Sequence, residues 1–142
     1  MNNETFQLFV YGSLRSGFHH AAYLYISKYF HLIGEAVVKG NLYDMGEYPV
    51  ALATNEEKFI AGELYAINSP AEFLYAIEQL DDYEGINVEV GETALYKREE
   101  ATVYCNSQQS AAWIYWFNGN VDGLPQIASG DVLQYMQQKN KL

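Results

Sequence analysis

A series of short apolar segments cut apart by glycine constrains this chain more than any other feature. Phe6-Gln-Leu-Phe-Val-Tyr11 ends at Gly12-Ser13 and reads as a buried strand feeding a sharp turn. Glu35-Ala-Val-Val-Lys39 and Asn41-Leu-Tyr43 are separated by Gly40, and Tyr48-Pro-Val-Ala-Leu-Ala53 follows the turn at Met45-Gly46. Phe59 to Ile67 is longer, rich in β-type residues, and contains Gly62. Glycine permits the bends and bulges that curl a sheet, so the pattern predicts a barrel rather than a flat sheet. Two more strands, Thr93 to Tyr104 and Ala111 to Phe117, flank the polar connection Asn106-Ser-Gln-Gln-Ser110, as in a hairpin.

Helices fall between these segments. Ala21 to Phe30 is compatible with a helix, Leu24 sharing a face with Lys28 and Ala21 with Tyr25. The clearest helical start is Ser69-Pro70-Ala71-Glu72: an N-cap serine, proline at the first helical position and glutamate at the third. Phe73, Leu74, Ile77 and Leu80 then mark one apolar face. Asp81-Asp82 are poor helix formers where the dipole opposes negative charge, so the helix is expected to end there, leaving Tyr83-Glu84-Gly85 in a loop. A last helix is expected from Ser129, capped by Ser129 or Asp131 and carrying Val132, Leu133 and Met136. No repeat, low-complexity tract or linker divides the 142 residues, and residues 1–142 read as one α+β domain around one core.

Composition removes several function classes. Eight basic against eighteen acidic residues leave a formal charge of −10, a field that repels phosphate backbones, so no nucleic-acid partner is expected. No basic segment precedes an apolar run at the start, and no apolar stretch approaches a membrane span. The expectation is a soluble, cytoplasmic protein with no membrane partner. Cys105 is alone, which excludes an internal disulfide and a cysteine-based zinc site, and it lies in a strand where an inert core thiol is expected. His19, His20 and His31 have no metal-ligand spacing, so no metal site is expected. The 13 tyrosines suit both sheet faces and polar cavities, since each buries a ring and wets a hydroxyl.

Three clusters can carry chemistry. At Val10-Tyr11-Gly12-Ser13-Leu14 a strand turning at glycine can present successive N–H groups to an anion, or simply end in an ordinary turn. Leu80-Asp81-Asp82-Tyr83-Glu84-Gly85 gathers three carboxylates in four residues. Crowded carboxylates disfavour further ionisation, the direction general acid–base work needs; a solvated acidic helix end has the same composition. At Tyr96-Lys97-Arg98, Tyr96 and Arg98 share one strand face, where they can hold a carboxylate in place or form a surface pair.

Taken in order, these pieces resemble the γ-glutamylcyclotransferase-like proteins, which include γ-glutamylamine cyclotransferases and plant avirulence-induced (AIG2-like) proteins. Phe9-Val-Tyr-Gly-Ser-Leu14 resembles the family's substrate-loop signature, and Gly40-Asn-Leu-Tyr-Asp44 with Tyr48-Pro49 its next block. Gly62-Glu-Leu-Tyr65, Leu80-Asp-Asp-Tyr-Glu-Gly85, Tyr96-Lys-Arg98 and Ser129-Gly-Asp131 follow in sequence, so the resemblance covers nearly the whole chain. It departs at Val132, where the family often has tryptophan; this bears on packing of the last helix.

The resemblance implies a small mixed β-barrel of five to six strands flanked by helices. It implies a small-molecule γ-glutamyl substrate whose glutamyl group closes to 5-oxoproline, without metal or organic cofactor. Glu84 matches the catalytic glutamate, and Tyr11, Gly12, Ser13 and Leu14 match the loop that holds the γ-glutamyl group by its backbone. Tyr96 matches a tyrosine near that glutamate, and Tyr115 lies in a strand lining the same cavity. The alternatives are a non-catalytic member that binds a small ligand in the same cavity, and an acidic protein-interaction domain supported by net charge alone. Neither the leaving group nor the oligomeric state is legible in the sequence.

Overall fold

The computed structural model describes residues 5–11, 21–45, 49–84, 96–131 and 135. Seven strands and two α-helices follow in the order β1 (Gln7–Val10), α1 (Ala21–Tyr29), β2 (Phe30–Asp44), β3 (Pro49–Ala53), β4 (Phe59–Ile67), α2 (Phe73–Glu84), β5 (Tyr96–Cys105), β6 (Gln108–Phe117) and β7 (Gln126–Ile127). Five strands close a ring in the order β2-β4-β1-β6-β5, and β5 returns to β2 through Val37↔Tyr104 and Val38↔Val103. The fold is a small mixed β-barrel of the α+β class, flanked by helices. Among the described residues all pairings are antiparallel except β1 with β6.

Closure depends on β2, which is one 15-residue strand rather than two segments split at Gly40. Its first part, Phe30 to Lys39, pairs with β4; Gly40 to Asp44 pairs with β3, and Leu42-Tyr43 also with β7. Gly40 marks the handover between partners. A Cβ there would stand 2.6 Å from Ile60 Cδ1 and 3.0 Å from the Leu52 carbonyl, so glycine is what lets two strands converge. Register slips between Leu32 and Gly34. One extra residue at that bulge reverses which face the following side chains occupy. Phe30 therefore packs on the helix side, whereas Ala36, Val38 and Leu42 point into the barrel.

The two sheet faces hold separate clusters. Inside the barrel, Phe9, Val38, Leu42, Ile60, Leu64, Val103, Ile114 and Trp116 pack with a buried Cys105. On the outer face Leu8, Val10, Tyr65 and Tyr115 meet Ile26 and Phe30 from one direction and Phe73, Ala76, Ile77 and Leu80 of α2 from the other. Leu74, expected on the buried face of α2, is 72% exposed; Ala76 takes the inward place. The α-helix begins three residues later than the capping pattern suggests, because Pro70–Glu72 is a 3₁₀ turn and Ser69 makes no side-chain cap bond. Main-chain bonds from Glu72 N to the Ser69 carbonyl and from Phe73 N to the Pro70 carbonyl close that turn.

The β5–β6 hairpin is tighter than expected. Cys105 faces Gln108, leaving Asn106-Ser107 as a two-residue turn with φ of 53° and 66°. Positive φ at both positions is the type I′ geometry that matches strand twist. Of the expected last helix, Ser129 to Asp131 and Tyr135 are described: Ser129 and Gly130 lie in a turn, Gly130 at φ 70°, Asp131 N donates to Ser129 Oγ, and Tyr135 N donates to the Asp131 carbonyl. Val132, Leu133 and Met136 lie outside the described residues. No helix among the described residues is long and apolar enough to cross a membrane.

Candidate active site

The acidic motif lies on the last turn of α2, which runs on through Asp81-Asp82 and ends at Glu84. The expected stop at Asp81 fails for a tertiary reason. Asp81 is buried beneath the helix and receives Arg98 Nε at 2.7 Å and Tyr115 Oη at 2.8 Å on Oδ1, and Arg98 Nη2 at 3.1 Å on Oδ2. A bidentate guanidinium compensates the charge that the helix dipole disfavours, so the helix continues for one more stretch of residues. The same pairing relieves the crowding read from the sequence: Asp81 is turned into the sheet, while Asp82 is exposed. Position 84 follows position 81 by one helical turn.

The strands explain why these donors converge. Arg98 and Tyr115 are directly opposed across the β5–β6 ladder and share its helix-bearing face. Arg98 lies over the Trp113 ring at 4.5 Å from the centroid, and the Trp113 indole N–H donates to the Thr5 carbonyl. Arg98 is thus braced by a ring as well as by a carboxylate. The sequence reading has Tyr96 and Arg98 together hold a carboxylate or form a surface pair; Arg98 holds the protein's own Asp81, and the tyrosine that donates beside it is Tyr115.

Tyr11 follows β1, with its ring in the barrel interior and its hydroxyl donating to the Tyr115 carbonyl at 2.6 Å. Gly12, Ser13 and Leu14 lie outside the described residues, as does Gly85; Glu84 is described by its main chain. Tyr96 is half-buried on the edge of the helix-side cluster, its ring meeting that of Phe117 edge-on. The structure therefore brings Tyr115, Tyr11 and the last turn of α2 together, and places Tyr96 on the same sheet face as Arg98.

Two features were missed in the sequence. Glu63 of β4 is buried on the helix-bearing face, and the Tyr65 hydroxyl donates to its Oε1 at 3.0 Å. It pairs with Val10 across the β1–β4 ladder, one residue before Tyr11. The available signal was a lone carboxylate inside the apolar segment Phe59 to Ile67. The second is the anchoring of Asp81, whose signal was Arg98 two residues from Tyr96. Among the described residues, no group of three His, Cys, Asp or Glu side chains is arranged to hold a metal ion.

With the barrel, the acidic helix end and the end of β1 in place, the relatives of the chain can be compared. Residues 8–134 match the family described as gamma-glutamyl cyclotransferase, AIG2-like. The chain belongs to this family. A curated relative, the gamma-L-glutamyl-butirosin B gamma-glutamyl cyclotransferase of Niallia circulans, is 34% identical over 113 residues, covering 78% of this chain and 66% of that protein. Among solved structures, YkqA of Bacillus subtilis superposes with a TM-score of 0.72 at 24% identity, over 98% of this chain and 44% of that one. The ytfP protein of Escherichia coli gives a TM-score of 0.61 at 29% identity, over 92% and 98% of the two chains. Within the matched range, Tyr11 follows β1 and Glu84 is the last residue of α2.

Proposed function

We propose that this protein is a γ-glutamyl cyclotransferase that closes a γ-glutamyl group to 5-oxoproline and releases an amine or amino acid, with Glu84 as general acid–base. The observation that carries the reading is the placement of the family's acidic motif on a helix end pinned to the sheet through Asp81. An acid–base must stand at a fixed place relative to the reacting atoms, and a helix terminus held by three hydrogen bonds offers such a place.

The chemistry asks little beyond orientation. The α-amine nitrogen attacks the γ-carbonyl carbon of the same glutamyl group, so the nucleophile is already tethered and the protein must hold the chain bent. In becoming the lactam N–H the α-ammonium loses two protons, one before attack and one as the new C–N bond forms, and Glu84 takes each in turn. Each is passed to the departing nitrogen, the first as the old C–N bond breaks and the second as the amine becomes its ammonium ion, so the carboxylate ends as it began. Main-chain N–H groups of Tyr11, Gly12, Ser13 and Leu14 bind the substrate carboxylate or the developing oxyanion. Tyr96 and Tyr115 border the same space. The relative named for γ-L-glutamyl-butirosin B makes that compound a further candidate substrate.

The test is a screen of γ-glutamyl amino acids, γ-glutamyl-lysine side-chain amides and γ-glutamyl amines, with 5-oxoproline measured as product. Glu84→Gln is nearly isosteric and is expected to lower turnover by roughly two to four orders of magnitude while remaining folded. N-acetyl-γ-glutamyl compounds, whose nitrogen lone pair is delocalised, and β-aspartyl compounds, which would close a four-membered ring, are expected to be inert. Release of free glutamate in place of 5-oxoproline would make water the nucleophile and the protein a hydrolase. Binding without product would make it a ligand-binding member of the family.

A further inference from the structure

One strand residue touches both sides of the proposed site. The carbonyl of Tyr115 accepts the Tyr11 hydroxyl at 2.6 Å, where β1 gives way to the 12–14 segment. Its own hydroxyl donates to Asp81 Oδ1 at 2.8 Å, one helical turn before Glu84. We propose that Tyr115 is a positioning residue that holds Tyr11, which follows β1, at a fixed separation from Asp81 on the last turn of α2, and through Asp81 orders the turn that carries Glu84. The proposal rests on the reading of Glu84 as acid–base.

Packing alone already holds α2 against the sheet, since Phe73, Ala76, Ile77 and Leu80 are buried there. What the polar contacts add is direction. Apolar side chains resist separation but slide at small cost, whereas both oxygens of Asp81 are fixed by donors with defined geometry. Arg98 supplies two of those donors and is itself held over Trp113. Tyr115 supplies the third, and alone among them also bonds the end of β1. A ring closure that depends on a near-attack geometry is sensitive to displacements of about 1 Å, well within what loss of one such contact allows.

Tyr115→Phe separates this role from packing, because it keeps the ring and the carbonyl and removes only the hydroxyl. On a substrate found by the 5-oxoproline screen, kcat is expected to fall by about tenfold or more with KM nearly unchanged. Tyr11→Phe removes the other arm and is expected to show the opposite split, with KM raised and kcat less affected. A purely structural contribution would lower Tm and leave kcat per folded molecule intact. A folded Tyr115→Phe with kcat within about twofold of the parent, measured beside an inactive Glu84→Gln, overturns the proposal and leaves the acid–base reading standing. An active Glu84→Gln overturns the acid–base reading, and the proposal with it. Should no compound be turned over, amide hydrogen exchange across α2 decides. Exchange of the last turn about tenfold faster in Tyr115→Phe, with the first turns unchanged, supports the proposal, and unchanged exchange throughout overturns it.

Discussion

The inside of the barrel and its helix-bearing outer face use the same strands for different ends. Inside, Phe9, Leu64, Ile114 and Trp116 pack with Val38, Ile60 and Val103. Outside, the same strands present Glu63, Tyr65, Tyr115 and Arg98, and both carboxylates buried among the described residues, Glu63 and Asp81, lie on that side. Because side chains alternate along a strand, interior residues of β1, β4 and β6 have neighbours one position away that face the helices. Phe9 is followed by Val10, Ile114 by Tyr115. The barrel interior can thus be optimised for packing while the outer face carries charges whose desolvation must be offset by partners. The lesson is that burial has a different content on each face: exclusion of water inside, direction of polar groups outside.

The largest effect expected of this division is on turnover, from Glu84→Gln on the outer side. The next is on folding, from the inside. A Cβ at Gly62 would stand 2.2 Å from the Val10 carbonyl and 2.5 Å from the Phe9 ring, and the obstacle at 2.2 Å is main chain. Gly62→Ala is expected to cost about 3 kcal/mol or prevent folding, read by chemical denaturation and soluble yield. Its signature is loss of stability, with turnover per folded molecule unaltered; a selective loss of turnover would break the comparison.

Asp81→Ala tests the outer face. It leaves Arg98, partly exposed above Trp113, without its carboxylate, and is expected to cost about 2 kcal/mol, below the range for a wholly buried pair. Its partner variant Arg98→Met should be nearly as costly, and the double variant less costly than the sum, as urea denaturation of the four proteins would show. Additivity would mean that the bidentate pair contributes nothing beyond its separate parts. Here stability and turnover should fall together, in contrast to Gly62→Ala.

The smallest effect belongs to neither face. Ser107 occupies a left-handed conformation at φ 66° in the β5–β6 turn, next to Asn106 at φ 53°. Ser107→Gly makes the Asn-Gly pair that this turn type favours, and is expected to stabilise by about 0.5 kcal/mol after the entropy glycine adds to the unfolded chain. The change is read as a rise in Tm with unaltered kcat. A change in kcat would mean that the hairpin tip communicates with the outer face.

The element types and the family were legible in the sequence because both are local or ordered signals. β4 spans Phe59 to Ile67 as its composition indicates, α1 starts at Ala21, and the barrel follows from short segments relieved by glycine. The motif order that resembles γ-glutamylcyclotransferases is likewise a property of the chain alone. What only the tertiary structure decided is where locality ended. The continuity of β2 through Gly40 depends on Ile60 and Leu52 occupying the space that a side chain would need. The bulge at Leu32/Gly34 exchanges faces without any mark in the alternation that surrounds it. The end of α2 was misread because the rule against acidic residues at a helix C-terminus assumes water around them. Asp81 instead meets Arg98 and Tyr115, residues 17 and 34 positions away in sequence. The energy of an ion depends on its surroundings, and those are assembled by the fold.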